Sequence, residues 1–229
     1  KNRATVREKR LESSIFKIGL IGYTNAGKST IMNCLTSKSQ YEADELFATL
    51  DATTKSINLS GQLNVTLTDT VGFIQDLPTE LVSSFKSTLE ESKNVDLLVH
   101  VIDASDPHHE EHEKTVLDIM KEMDMLDIPR LTLYNKADKA EYFTPTLTPY
   151  SLISAKADNS RAILQQVLLE RMKEIFLPFT IKVAPAKAYK IHDLEKVAIM
   201  GNREYIDDVE VISGWIAEKN KWKLEEFYD

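Results

Sequence analysis

The chain has 229 residues, 42% of them hydrophobic and 28% charged, which suits a globular protein with one full core and room for a small satellite. Its net charge of −8 argues against binding nucleic acid through the bulk field, though a local basic patch stays open. No run is apolar and long enough to span a membrane, no signal peptide is visible, and the single cysteine, Cys34, can form no internal disulfide, so a cytoplasmic setting is expected.

Lys1, Arg3, Arg7, Lys9 and Arg10 crowd a start that is lysine rather than methionine. Residues 1–13 are expected to be the end of a truncated helical linker, the alternative being a short disordered basic arm. Ile15 to Ile21 reads as a strand that ends in a glycine loop, and a helix follows from Lys28 to about Ser37. Cys34 falls on that helix and is expected to be a small buried apolar residue. Residues 38–54 have no clean period and read as a long exposed loop. Ile57–Leu59 and Leu63–Thr68 read as strands joined by a turn at Ser60-Gly61, an expected antiparallel edge.

Leu81, Phe85 and Leu89, spaced by four, predict an amphipathic helix over 77–93. Val95 to Asp103 is nearly all apolar, as in a strand buried on both faces, and His100 within it is expected to be a satisfied core histidine. Ser105-Asp106-Pro107 predicts a helix start with proline at the first helical position. Residues 131–134 and 150–153 read as short buried strands, and 161–175 as a helix. Strands alternating with helices predict an α/β domain with a mostly parallel central sheet over 14–177. Pro178 marks a boundary, after which 178–229 reads as a small C-terminal α+β appendage whose core Trp215 and Trp222 are expected to pack.

Gly22-Tyr23-Thr24-Asn25-Ala26-Gly27-Lys28-Ser29 fits the phosphate-binding P-loop pattern between a strand and a helix. Its glycines free backbone N–H groups to wrap phosphates, Lys28 brings positive charge to the β- and γ-phosphates, and the Ser29 hydroxyl suits Mg2+. Asp69-Thr70-Val71-Gly72 closes an apolar strand, where an aspartate can hold the metal through water and a glycine can turn its N–H to the γ-phosphate. Asn135-Lys136-Ala137-Asp138 follows another strand. Guanine offers two adjacent donors that one carboxylate, Asp138, accepts together, whereas adenine leaves that carboxylate unpaired, which argues against an ATP-using enzyme. Asn135 is expected to tie this loop to the P-loop, and the Lys136 stem to lie over the base. In Ser154-Ala155-Lys156, the Ala155 amide is expected to reach guanine O6. Thr49, Thr53 and Thr54 each have the hydroxyl that a switch loop closes onto the metal.

The phrases at 22–30 (through Thr30), 46–51 (Leu-Phe-Ala-Thr-Leu-Asp), 69–74, 81–91 and 135–138 together resemble the HflX-type GTPases over about residues 14–178. The resemblance implies a P-loop GTPase domain that binds and hydrolyses GTP with Mg2+. It implies nucleotide contacts from Asn25 to Thr30, from Phe47, Ala48, Thr49, Leu50 and Asp51, from Asp69, Thr70, Val71 and Gly72, and from the Asn135 and Ser154 loops. It also singles out Thr49 as the second metal ligand beside Ser29, and it implies catalytic roles for Lys28, Thr49, Gly72 and Asn25. Ala52 departs from the family's proline.

Phe73 stands where Ras-like enzymes place a water-orienting glutamine. Two routes around it are open: a potassium ion held by Asn25, as in related P-loop GTPases, or a partner that orders the switches. A loop-stabilising hydrogen bond is the alternative role for Asn25. The family implies the large ribosomal subunit as partner, in ribosome splitting or rescue under stress, and a monomer is expected. A GTP-dependent switch module with negligible hydrolysis is the alternative function. His108-His109-Glu110-Glu111-His112 fits a zinc-site pattern, but with no third ligand nearby its histidines are expected to be solvated.

Overall fold

Near-continuous apolar runs make strands that must be covered on both faces, and here helices cover them. The computed structural model describes residues 14–36, 54–59, 61, 63–69, 94–207 and 209–228. The expected contacts Phe47, Ala48, Thr49, Leu50, Asp51, Thr70, Val71 and Gly72, with Ala52, Thr53, Phe73 and the expected helix over 77–93, therefore lie outside the described residues. In chain order the elements are β1 (Phe16–Gly22), α1 (Lys28–Thr36), β2 (Thr54–Leu59), β3 (Leu63–Asp69), β4 (Leu97–Asp103), α2 (His109–Glu122), β5 (Arg130–Asn135), β6 (Tyr150–Leu152) and α3 (Ser160–Ile175). After them come β7 (Leu177–Val183), α4 (Ile191–Glu195), β8 (Ala198–Ile206), β9 (Val209–Ile216) and α5 (Trp222–Glu225). β2 begins at Thr54, which removes that residue from the expected loop.

The chain divides into two compact units, the larger made of Lys17–Ile57 and Thr66–Val167. The main sheet has the order β2-β3-β1-β4-β5-β6 among the described residues, and β1–β4, β4–β5 and β5–β6 pair in parallel. Thr54 meets Thr68 across β2 and β3 (Oγ1 to Oγ1 2.9 Å) while Asn58 meets Asn64 (3.1 Å), so the pairing runs in opposite directions and this edge is antiparallel. α2 presents Val116 and Met120 to Ile21 and Leu98, with Met123 and Met125 closing the cluster. Its first turn carries Glu110 and Glu111 toward the positive helix end.

Four expectations change. The helix starts at His109, not at Pro107, because Asp106 accepts from the His108 amide (2.9 Å) in a turn that delays it. β6 lies at the sheet edge, and its Tyr150 and Leu152 are exposed rather than buried. Cys34 is half-buried, with its Sγ 3.1 Å from Ser160 Oγ. His100 is buried, as expected, but its Nδ1, expected to be satisfied, has no partner among the described residues.

The smaller unit contains Leu168–Asp229, with Asn58–Val65 and residues 14–16. Its sheet has the order β7-β9-β8, antiparallel throughout. Strict alternation along β7 and β9 turns Phe179, Ile181, Val183, Ile212 and Ile216 to one face, where Ile191, Leu194, Leu224 and Phe227 cover them. The tryptophans, expected in this core, are only half-buried. Trp215 stands on the opposite face of β9, with Lys173 Nζ 5.2 Å from its ring centre.

Two predictions concern the larger unit. The Tyr134 hydroxyl donates to the buried Glu113 carboxylate (2.8 Å) and accepts from the Thr146 and Leu147 amides (3.1 Å each). Tyr134→Phe strands these groups, so urea unfolding should show a loss of about 1–3 kcal/mol; an unchanged midpoint would refute the network's importance. Burial, then Arg130 and Lys28, push the His100 pKa down from 6.5 to about 3. The neutral form is favoured in the fold, so below pH 6.5 the unfolded chain binds the extra proton. Stability should fall as pH drops from 6.5 toward about 3. Unfolding curves across that window should lose part of this slope in His100→Leu, and an unaltered slope would count against the assignment.

Candidate functional site: a phosphate loop locked to a base-reading loop

The carboxyl ends of β1, β4, β5 and β6 carry the loops at 23–27, 104–108, 136–139 and 153–156, the side of a parallel sheet where ligands bind. The loop after β1 needs unusual backbone at two points: Gly27 has φ +105° and Asn25 φ +62°. A Cβ on Gly27 would run into Asn135 Nδ2. Lys28 starts α1, buried, and its ammonium donates to the carbonyls of Gly22 (3.1 Å) and Tyr23 (3.3 Å). Burial lowers the Lys28 pKa, and Asp69 pulls it partly back up. Thr30 follows within the same first turn of α1.

Ser29 Oγ donates to Asp69 Oδ2 at 3.1 Å, across forty residues of sequence. Asp69 Oδ1 is buried and has no partner among the described residues. A hydroxyl and a carboxylate with an idle oxygen are hard donors of the kind Mg2+ takes alongside phosphate oxygens and water.

Asn135, buried at the end of β5, spends its whole side chain on bridging. Its Nδ2 donates to Ala26 O (2.9 Å) and its Oδ1 accepts from Ala155 N (3.0 Å). The Ala155 amide, expected at guanine O6, is thus engaged by Asn135, and that role requires it to be shared or released. Lys136 takes the left-handed conformation (φ 60°) and turns its ammonium to Asn25 O (2.9 Å) and Asp103 Oδ2 (2.5 Å). Asp138 is exposed, accepts from Ser154 Oγ (2.6 Å) and gives its own amide to the same hydroxyl (3.1 Å). The Ser154 hydrogen bond leads the causes that hold the Asp138 carboxyl below its ordinary value. Lys156 sits one residue beyond Ala155 in the same loop.

The structure thus brings together Asn25, Ala26, Gly27, Lys28, Ser29, Asp69, Asn135, Lys136, Asp138, Ser154 and Ala155. The histidine cluster does not converge. His108 faces Glu111 (3.5 Å), His109 Nδ1 lies 2.9 Å from Asp106 O, and His112 stacks on Tyr23 with ring centres 3.7 Å apart. His109 and His112 are half-buried rather than solvated. The sequence marks Asp103 only as the charged residue that closes an apolar run, just before Ala104-Ser105.

This sheet, this phosphate loop and this base-reading loop define a P-loop GTPase domain. Residues 17–136 match a family model described as "50S ribosome-binding GTPase". The chain belongs to that family, and within it to the HflX type. It is 47% identical over 180 residues to the GTPase HflX of Alkalihalophilus pseudofirmus, covering 78% of this chain and 43% of that protein. The match to the Escherichia coli GTPase HflX is 37% over 209 residues, covering 86% and 49%. The chain therefore spans about half the length of these curated relatives. Among solved structures, a GTP-binding protein of Sulfolobus solfataricus in complex with GDP superposes with a TM-score of 0.56 at 25% identity, covering 74% of this chain and 56% of that one.

Gly27→Ala tests the link between the loops. The added methyl collides with Asn135 Nδ2 and strains a φ of +105°. GDP affinity by titration should fall roughly tenfold or more, the scale of a lost buried hydrogen bond; wild-type affinity would show that the two loops need no such fit.

Proposed function

We propose that this chain binds GTP and hydrolyses it with Mg2+, and that it acts on the large ribosomal subunit, in splitting or rescuing ribosomes under stress. The observation that carries the chemistry is the Asn135 bridge, which holds a phosphate-wrapping loop and a guanine-reading carboxylate in one frame. Support for the ribosomal partner is the family description matched over residues 17–136. The domain division at 14–177 and 178–229, the monomeric state and the cytoplasmic setting belong to the same proposal. Among the described residues, no helix is long and apolar enough to cross a membrane.

Each residue then has a task. The amides of the loop from Asn25 to Lys28 wrap the phosphates, and Lys28 leaves its carbonyl partners to meet their charge. Ser29 and Asp69 would hold Mg2+, with Thr49 as the switch ligand; bound there, the ion neutralises charge building on the transferred phosphoryl group. Gly72 gives its amide to the γ-phosphate. Asp138 accepts both guanine donors, and Ser154 keeps its carboxylate aligned. Phe73 cannot orient water, which favours help from outside the chain or from a potassium ion at Asn25. It also keeps a switch module with negligible hydrolysis as the second reading.

The test is single-turnover hydrolysis of GTP in potassium and in sodium, with and without large ribosomal subunits and with the metal chelated. Metal-dependent turnover raised roughly tenfold or more by the subunits is expected, since an ordering partner contributes at least that much in related enzymes. Stimulation by potassium alone assigns the effect to Asn25. Tight GTP binding with no turnover in any condition replaces this reading with the switch module.

A further inference from the structure

Asp103 ends β4 directly opposite Asn135 in the parallel register, and the Ala104 amide donates to the Asn135 carbonyl (2.8 Å). That register sets the Asp103 carboxylate beside the first residue of the base-reading loop. Oδ1 accepts from the Ser105 amide (3.0 Å) and hydroxyl (2.6 Å), which fixes the carboxylate's rotation. Oδ2 is left for the Lys136 ammonium at 2.5 Å. The pair is largely shielded, with side-chain exposures of 33% for Lys136 and 18% for Asp103, so it is screened less than a surface ion pair. The same ammonium reaches the Asn25 carbonyl of the phosphate loop at 2.9 Å.

A lysine on a loop samples many rotamers, and holding it in one costs entropy whenever a ligand demands it. Here that cost is met in the fold: two acceptors, one in the phosphate loop and one at the end of β4, pin the ammonium and fix where the four-carbon stem runs. We propose that Asp103 is a positioning residue for the nucleotide. By anchoring Lys136 it presets the apolar stem as a wall for the purine face and keeps the Asn25 end of the phosphate loop drawn toward the base-reading loop. This rests on reading residues 135–138 as the loop that receives guanine.

The test is the rate at which bound GDP leaves the wild-type chain, Asp103→Asn, Lys136→Met and the double variant, each chased with excess unlabelled GDP. Asp103→Asn keeps the acceptor for the Ser105 turn but turns a neutral amide on the ammonium; it should release GDP roughly tenfold faster, since losses of preset contacts fall mainly on the off-rate. Lys136→Met keeps the stem without the charge and should do the same. If Asp103 acts through Lys136, the double variant leaves no more than about twofold faster than either single one. Wild-type release from Asp103→Asn overturns the proposal, and so does a double variant in which the two effects multiply. A lowered nucleotide-free melting midpoint with unchanged release would mean a purely structural role and also overturns it. A wild-type chain that holds no GDP would instead strike at the base-reading loop itself.

Discussion

One side-chain amide sets the geometry of the nucleotide site. Asn135 donates to a phosphate-loop carbonyl and accepts from an amide in the loop after β6, and both bonds are buried. Buried amides left unpaired are costly, so the three loops are locked into a single spacing. The glycine at 27 is demanded by this neighbour as much as by any phosphate, because a side chain there would occupy the space that Asn135 Nδ2 uses. Lys136 and Asp138 then fall where they do as a consequence of following Asn135 in sequence.

Charge is distributed along this frame with little waste. The phosphate end is positive through Lys28, lowered in pKa by burial, while His100, its pKa pushed down chiefly by burial, adds no second cation. At the base end, Asp103 is partly shielded; burial alone would raise its pKa, but hydrogen bonds from Lys136 and Ser105 outweigh that and hold it low. Asp138 is also held ionised, chiefly by Ser154, yet remains exposed and free to accept more donors. One carboxylate is thus engaged by a lysine of the protein, while the other, in the loop after the neighbouring strand, stays exposed.

Much of this was legible in the sequence, because phosphate and base loops are short and each sits just after an apolar strand. The strand-helix alternation gave the parallel sheet, and the turn at Gly61 (φ +82°) gave the antiparallel edge. What was not legible depends on register or on distant partners. Asp103 looks like the end of a strand until β5 is laid beside it. Tyr150 and Leu152 read as buried because their apolar character is local, while their place at the sheet edge is global. The delayed start of α2 came from an aspartate side chain competing for an amide, which composition around Pro107 does not reveal. His100 reads as an ordinary core residue, and only the packed structure shows that its Nδ1 has no partner among the described residues.

The placement of the tryptophans has an optical consequence. The chain's two tryptophans, Trp215 and Trp222, both belong to the smaller unit, and both are half-buried. The unit that contains the phosphate and base-reading loops has none. Intrinsic tryptophan emission therefore reports on the three-stranded sheet and its helices, with the Lys173 ammonium over the Trp215 ring. The nucleotide unit is dark at that wavelength, so the two units of one chain can be followed by separate signals: the smaller by its own light, the larger by a label carried on the guanine nucleotide.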